Sequence, residues 1–120
     1  MSTRFGLSGS VIERIAGVLR RHSAIRLAVI YGSRAKGNFK PGSDIDLSVF
    51  GEPGQPVSPR ELGLVLDEID DLLLPYTLDL SAFEQQDNAE LQAQIERVGQ
   101  VFYQHADVSP EPAAPATVEG

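Results

Sequence analysis

The chain has 120 residues, enough for one modest hydrophobic core and too few for two well-buried ones. Its formal net charge of −7 argues against a general nucleic-acid binder, since such proteins carry a basic footprint. The absence of cysteine excludes disulfides and thiolate metal sites. The longest apolar run is too short to cross a bilayer, and the N-terminus lacks a secretory apolar stretch. We therefore expect a cytoplasmic protein with no membrane contact.

Capping residues and apolar spacing predict three helices. Ser10, followed three residues later by Glu13, has the pattern of a capping box at the start of the first helix. Ser58 as N-cap, Pro59 at the first helical position and Glu61 open the second helix. Its predicted apolar stripe comprises Leu62, Val65, Leu66, Ile69 and Leu73.

The third helix is predicted to begin at Asp87, with Glu90 three residues later. Its apolar face is expected to comprise Leu91, Ile95, Val98 and Phe102. The two histidines have no neighbours that suggest a catalytic dyad. We interpret His22 as a cation at the end of the first helix and His105 as a surface residue.

Three strands fit between these helices. The segment LAVIY at residues 27–31 is uniformly apolar, as in a central strand covered on both faces. DIDLSVF at 44–50 and YTLDLSAF at 76–83 alternate polar and apolar residues. The order α-β-β-α-β-α predicts an α+β fold with a small three-stranded sheet, mixed or antiparallel, backed by helices on its apolar face. The folded domain is expected to span residues 1–105, and the Pro- and Ala-rich residues 106–120 to form a disordered tail.

Alternation places acidic side chains together on one sheet face. Asp44 and Asp46 are two residues apart, so their Cβ atoms should lie roughly 6–7 Å from each other. Asp79 joins them if its strand neighbours theirs. Such a cluster of carboxylates suits a hard cation, Mg²⁺ or Mn²⁺. An Asp-x-Asp pair alone is more often a solvated strand face, so the segment before it matters.

That segment, GSRAKG at residues 32–37, follows the first strand directly. Gly32 permits a sharp turn and close approach to a ligand, and Ser33 offers a hydroxyl beside free backbone N–H groups. Arg34 and Lys36 add positive charge that suits a triphosphate, and Ser43 stands just before the first aspartate. A Gly-Ser turn alone is an ordinary connection. Combined with the aspartates at this spacing, it indicates a nucleotide site.

Gly-Ser, ten residues and Asp-x-Asp together resemble the signature of the DNA polymerase beta–like nucleotidyltransferase superfamily. The stretch YGSRAKG…GSDIDL is similar to its minimal nucleotidyltransferase (MNT) branch, which includes MntA-like antitoxins, over about residues 8–104. The resemblance implies the polymerase beta–like fold. It also implies that Asp44, Asp46 and Asp79 bind metal and act in catalysis. Residues holding ATP would be Gly32, Ser33, Arg34, Lys36 and Ser43.

The resemblance further implies a partner, because no acceptor-binding domain fits into this length. MNT proteins pair with a small all-helical HEPN-type protein, and family members transfer AMP from ATP to a tyrosine of that toxin. We therefore expect an antitoxin that forms a hetero-oligomer. Two alternatives stay open: an interaction module that neutralises its partner by occlusion alone, and a transferase for a small molecule such as an antibiotic. The intact set of three aspartates favours an enzyme.

Overall fold

The computed structural model describes residues 3–40, 42–85 and 88–105. In chain order, its elements are β1 (Thr3–Arg4), β2 (Leu7–Ser8), α1 (Gly9–Arg20), β3 (Leu27–Tyr31), α2 (Gly32–Lys36), β4 (Ile45–Phe50), α3 (Pro59–Asp70), β5 (Leu78–Ala82), a 3₁₀ turn (Phe83–Gln85), α4 (Ala89–Val98) and β6 (Gln100–Gln104). The predicted tail at residues 106–120 lies outside the described part of the chain. No described helix combines the length and the hydropathy that crossing a bilayer requires.

Within the described residues, the main sheet contains four strands in the order β5-β4-β3-β6. Strand β3 is antiparallel to both of its neighbours, whereas β4 and β5 are parallel. The predicted α+β class with a mixed sheet is therefore confirmed, with one strand more than expected. The three predicted strands all form, and the central position of LAVIY is confirmed because β3 is hydrogen-bonded on both sides. A separate short hairpin joins β1 to β2.

The additional strand corrects the predicted end of the last helix. Phe102 was expected on a helical face, but α4 ends at Val98 and Phe102 is buried in β6. The turn depends on Gly99, where a Cβ would lie 2.3 Å from the Ile95 carbonyl oxygen and 2.4 Å from Val29 Cγ1. The chain leaves the helix in an extended conformation at this glycine and returns along β3.

The start of α1 also differs from the prediction. Ser8, not Ser10, is the N-cap: its hydroxyl accepts a hydrogen bond from the Val11 N–H at 3.2 Å. Ser8 ends β2 in an extended conformation, so the helix begins directly after the hairpin. The prediction for α3 is confirmed, since the Ser58 hydroxyl accepts from the Glu61 N–H at 3.1 Å.

Asn88 caps α4 through the Leu91 N–H, at 3.1 Å, and the predicted start at Asp87 lies outside the described residues. Leu73 does not extend the apolar stripe of α3. The helix ends before it, and Leu73 is 87% exposed with a φ of 55°. The predicted stripe is therefore wrong at its last member.

The helices cover both sheet faces, which confirms the cover expected on both sides of LAVIY and adds a helix to the face opposite the one on which helices were expected. Helices α1 and α3 pack on the face formed by Ile30, Leu47, Val49 and Leu80, where most of the core lies. Helix α4 packs on the opposite face through Ile95, in a smaller cluster that includes Val29, Tyr31, Leu27, Phe50, Phe83 and Leu91. This second cluster lies on the acid-bearing face.

His22 lies just after the end of α1, as predicted, and its ring is largely buried against α3. Its ring is 10% exposed and lies between Glu61 and Glu68 of α3, bonded through Nδ1 to the first and through Nε2, at 3.0 Å, to the second. The backbone N–H of His105 donates to the Arg26 carbonyl at 2.9 Å. His22 thereby connects the end of α1 to α3.

Candidate functional site

The acidic face is built by two parallel strands in register. Asp46 of β4 is the Cα partner of Asp79 of β5. Neighbouring strands lie about 4.8 Å apart, and residues in register on a parallel ladder point to the same face. Asp44 lies just ahead of β4, two residues before Asp46, and side chains two residues apart in an extended chain point to the same face. The structure therefore places the three aspartates on one side of the sheet, as the alternation indicated.

The Gly-Ser turn lies directly against this face. Gly32 has a φ of +74°, and a Cβ on it would lie 2.4 Å from Asp46 Oδ2. A left-handed backbone and a contact this close both require glycine. Ser33, partly exposed, follows Gly32 in the first turn of α2, where the leading N–H groups of a helix have no carbonyl partner within it. Backbone donors and a carboxylate thus border one small area.

Electrostatic repulsion within this area affects the pKa of Asp46. Burial raises the pKa of Asp46, and the carboxylates of Asp79 and Asp44 raise that pKa further. Each neighbouring negative charge opposes ionisation of the next. A bound cation would relieve this repulsion, so the donor set has the chemistry of a hard-metal site.

The three carboxylates do not form a ready-made set of metal ligands. Across residues 3–40, 42–85 and 88–105, no three acidic or histidine side chains form a group that could hold an ion as they stand. Asp44 and Asp79 are exposed, while Asp46 is half-buried. The carboxylates fit Mg²⁺ or Mn²⁺ by residue type, face and register.

Tyr31 belongs to the same face, although neither the motif nor the alternation pointed to it. It ends β3 and is the Cα partner of Asp46 on the side opposite Asp79. Burial raises the pKa of its hydroxyl; the Asp79 and Asp46 carboxylates add to the rise, and the Ser81 hydroxyl opposes it. Pairing of LAVIY with DIDLSVF could have revealed it, because that register sets Tyr31 beside Asp46.

Ser48 lies two residues beyond Asp46 on the same face and is fully buried. Its hydroxyl has no hydrogen-bond partner among the described residues. Buried hydroxyls are rarely left in this state, so this position would stabilise a water molecule or a polar ligand atom.

The other predicted nucleotide-binding residues, Lys36, Ser43 and Arg34, differ in their exposure to solvent and in their hydrogen bonds. Lys36 is exposed in the last turn of α2. The Ser43 hydroxyl accepts from the Lys40 N–H at 2.8 Å, which closes a local turn. Arg34 is 2% exposed, and its guanidinium donates to the carbonyl groups of Ser43 and Phe5. Lys36 is therefore the solvent-exposed cation of this segment.

Comparison with known proteins identifies the class to which this fold and site belong. The family model "Polymerase beta, Nucleotidyltransferase" matches residues 13–107. The chain belongs to this family and is a nucleotidyltransferase, and the polymerase beta–like fold predicted from the signature is confirmed. No curated protein matches the sequence.

Similar solved structures include chains of several complexes. A chain of a toxin-antitoxin complex with AMP-PNP is 19% identical, with a TM-score of 0.63 over 79% of this chain and 74% of that chain. A chain from the complex of a tri-AMPylated Shewanella oneidensis HEPN toxin with an MNT antitoxin is 17% identical, with a TM-score of 0.59 over 79% of this chain and 71% of that chain. A chain from an MntA-HepT toxin-antitoxin complex is 16% identical, with a TM-score of 0.59 over 81% of this chain and 73% of that chain. At these identities the likeness shows a shared fold.

Proposed function

We propose that this protein transfers AMP from ATP to a tyrosine hydroxyl of a small all-helical HEPN-type toxin and thereby acts as its antitoxin. The observation that carries the proposal is the register of Asp46 with Asp79, with Gly32 packed against the Asp46 carboxylate. The fold is shared with chains from a toxin-antitoxin complex with AMP-PNP and from a complex that contains a tri-AMPylated HEPN toxin. The cytoplasm, which supplies ATP, is the proposed location.

Most of the predicted site residues have a proposed task. Asp44, Asp46 and Asp79 hold Mg²⁺ or Mn²⁺, which when bound neutralises the charge on the phosphates and on the reacting oxygens. Gly32 and Ser33 bind phosphate oxygens through backbone N–H groups and the serine hydroxyl. The exposed ammonium of Lys36 supplies positive charge to the leaving pyrophosphate. The proposed phosphate contacts exclude Arg34, whose guanidinium donates to carbonyl groups within the protein, whereas the Ser43 hydroxyl accepts from the Lys40 N–H and can still donate its proton to a phosphate oxygen.

The chemical step is a displacement at phosphorus. The tyrosine oxygen of the partner attacks the α-phosphorus of ATP, and the bond from that phosphorus to the bridging oxygen breaks. Pyrophosphate leaves with the bridging oxygen, and the phenolic proton passes to the Asp79 carboxylate. Asp79 suits this task because it is exposed at the edge strand β5, where an acceptor from a second protein can reach it.

The proposal is tested by mixing the protein with its partner, ATP and Mg²⁺ and weighing both chains by intact mass spectrometry. A partner heavier by whole AMP units is expected. Asp46→Asn should abolish this gain, and the matched control Asp70→Asn, which changes an exposed acid at the end of α3, should preserve it. Toxin neutralisation by Asp46→Asn equal to that by the native protein would instead favour occlusion. AMP found on a small molecule alone would favour the antibiotic-type alternative.

A further inference from the structure

Arg34 has an unusual position for a residue in a nucleotide-binding turn. Its side chain is almost completely buried in an acidic protein. Nε and Nη2 both donate to the Ser43 carbonyl, at 3.1 and 3.0 Å, and Nη1 donates to the Phe5 carbonyl at 2.8 Å. The planar guanidinium is suited to such a bidentate contact, which a lysine cannot reproduce.

Two aromatic rings also contact this guanidinium. The centroids of Phe39 and Tyr76 each lie 5.1 Å from Arg34 Cζ, within the range of cation–π attraction. The β1–β2 hairpin closes over the group at Gly6, where a Cβ would lie 2.3 Å from a Phe39 ring carbon and 2.9 Å from Arg34 Nη1. The hairpin therefore packs directly against the guanidinium and the Phe39 ring at this point.

The segments that Arg34 joins are those that carry the acids. Ser43 immediately precedes Asp44, and Tyr76 stands three residues before Asp79. The buried Arg34 side chain thus contacts the segments that lead into β4 and β5, the two strands of the acidic face. Resting on the proposed function, we infer that Arg34 is a positioning residue for Asp44 and Asp79 and not a phosphate ligand.

Lys36 provides the natural contrast. It lies two residues later in the same short helix, but its side chain is exposed and none of the described hydrogen bonds or ion pairs engages it. If Arg34 acts through the acids and Lys36 acts on the nucleotide, then replacing each should affect a different step. Loss of a transition-state interaction lowers the rate at saturation, whereas loss of ground-state binding raises the concentration of nucleotide required.

The first experiment separates binding from transfer. AMP-PNP binding with Mg²⁺ is measured by calorimetry, and AMP transfer at saturating ATP by mass spectrometry. Arg34→Lys should bind AMP-PNP within about threefold of the native protein but transfer slower by roughly tenfold to a hundredfold, since misplacement of about 1 Å has that effect. Lys36→Gln should weaken binding about tenfold and keep most of the saturated rate. Arg60→Lys, an exposed change in the first turn of α3, is the control.

The opposite pattern overturns the inference. In that pattern, Arg34→Lys loses affinity for AMP-PNP as strongly as Lys36→Gln does, while the transfer rate of Arg34→Lys at saturating ATP stays at the native value. Circular dichroism and thermal melting accompany each variant, so that loss of the fold is distinguished from misplacement of the acids.

A second experiment needs neither a variant nor the transfer reaction. The native protein is treated with phenylglyoxal, which modifies accessible arginines, with and without AMP-PNP and Mg²⁺, and the adducts are mapped by peptide mass spectrometry. Arg34 should stay unmodified in both samples, while the exposed Arg60 reacts in both. Rapid modification of Arg34 that AMP-PNP prevents would identify it as a phosphate ligand. Native protein that transfers no AMP would refute the proposed function, while this labelling would still decide the position of Arg34.

Discussion

At the scale of single residues, Gly32 brings the backbone against the Asp46 carboxylate because it has no side chain. In Gly32→Ala, a methyl group 2.4 Å from Oδ2 would displace that carboxylate. We expect AMP transfer to fall by roughly a hundredfold, as for a catalytic group moved by about 1 Å. Stability should fall by about 1–2 kcal/mol because alanine is strained at positive φ.

Gly54→Ala is the matched control for this strain. Gly54 also has a positive φ, +79°, but a Cβ on it would meet no described atom within 4 Å, so only the backbone cost is shared. The control should lose similar stability in urea unfolding while transferring AMP at the native rate. Equal losses of transfer in both variants would show that the fold, not the carboxylate, had been disturbed.

Asp46 yields a second prediction, made for the metal-free protein. Its raised pKa, caused by burial and then by Asp79 and Asp44, means that folding favours the protonated form. Stability is therefore lost as pH rises from the ordinary value of 3.8 through the raised pKa. We expect Asp46→Asn to melt higher than the native protein at pH 7 in chelator, with the difference shrinking toward pH 3. A native protein that is the more stable at pH 7 would contradict this.

At the scale of elements, the end of α1 is joined to α3 by charged side chains. Glu68 receives a hydrogen bond from Arg21 at 2.8 Å and contacts His22. The Arg21 hydrogen bond lowers the pKa of Glu68, and His22 adds to this effect against an opposing effect of desolvation. A lowered carboxyl pKa contributes stability above the ordinary value of 4.5, and that contribution is lost as pH falls through the lowered pKa.

Glu68→Gln should therefore be less stable than the native protein at pH 6, and the two should converge well below pH 4.5, as measured by urea unfolding across pH. Glu13→Gln serves as the control, because the Glu13–Arg20 pair is exposed and such pairs contribute about 0–1 kcal/mol. A constant difference between native protein and Glu68→Gln from pH 6 to pH 3 would refute the linkage.

The elements that could be predicted from the sequence are those that nearby residues determine. The start of α3 was predictable because Ser58 and Pro59 act within one turn. The strand β6 was not, because helical spacing continues through Phe102 and only pairing with β3 across the sheet overrides it. The aspartates could be placed on one face by alternation. The burial of Arg34 could not, since it depends on Phe5 and on Tyr76, which are distant in the sequence.

At the scale of the whole molecule, the acidic face joins Asp46 and Asp79, which are 33 positions apart in the sequence (79 − 46), so a ligand bound there should stabilise the fold as a unit. A ligand at about 100 times its dissociation constant adds roughly 2.7 kcal/mol, which for a domain of this size raises the melting temperature by about 10 °C. We expect this shift with ATP and Mg²⁺ together and only a small one with ATP in chelator. Asp79→Asn should lose it although β5 remains paired, whereas Asp70→Asn should keep it. An undiminished shift in chelator, or in Asp79→Asn, would mean that the nucleotide binds without the carboxylates of the two parallel strands.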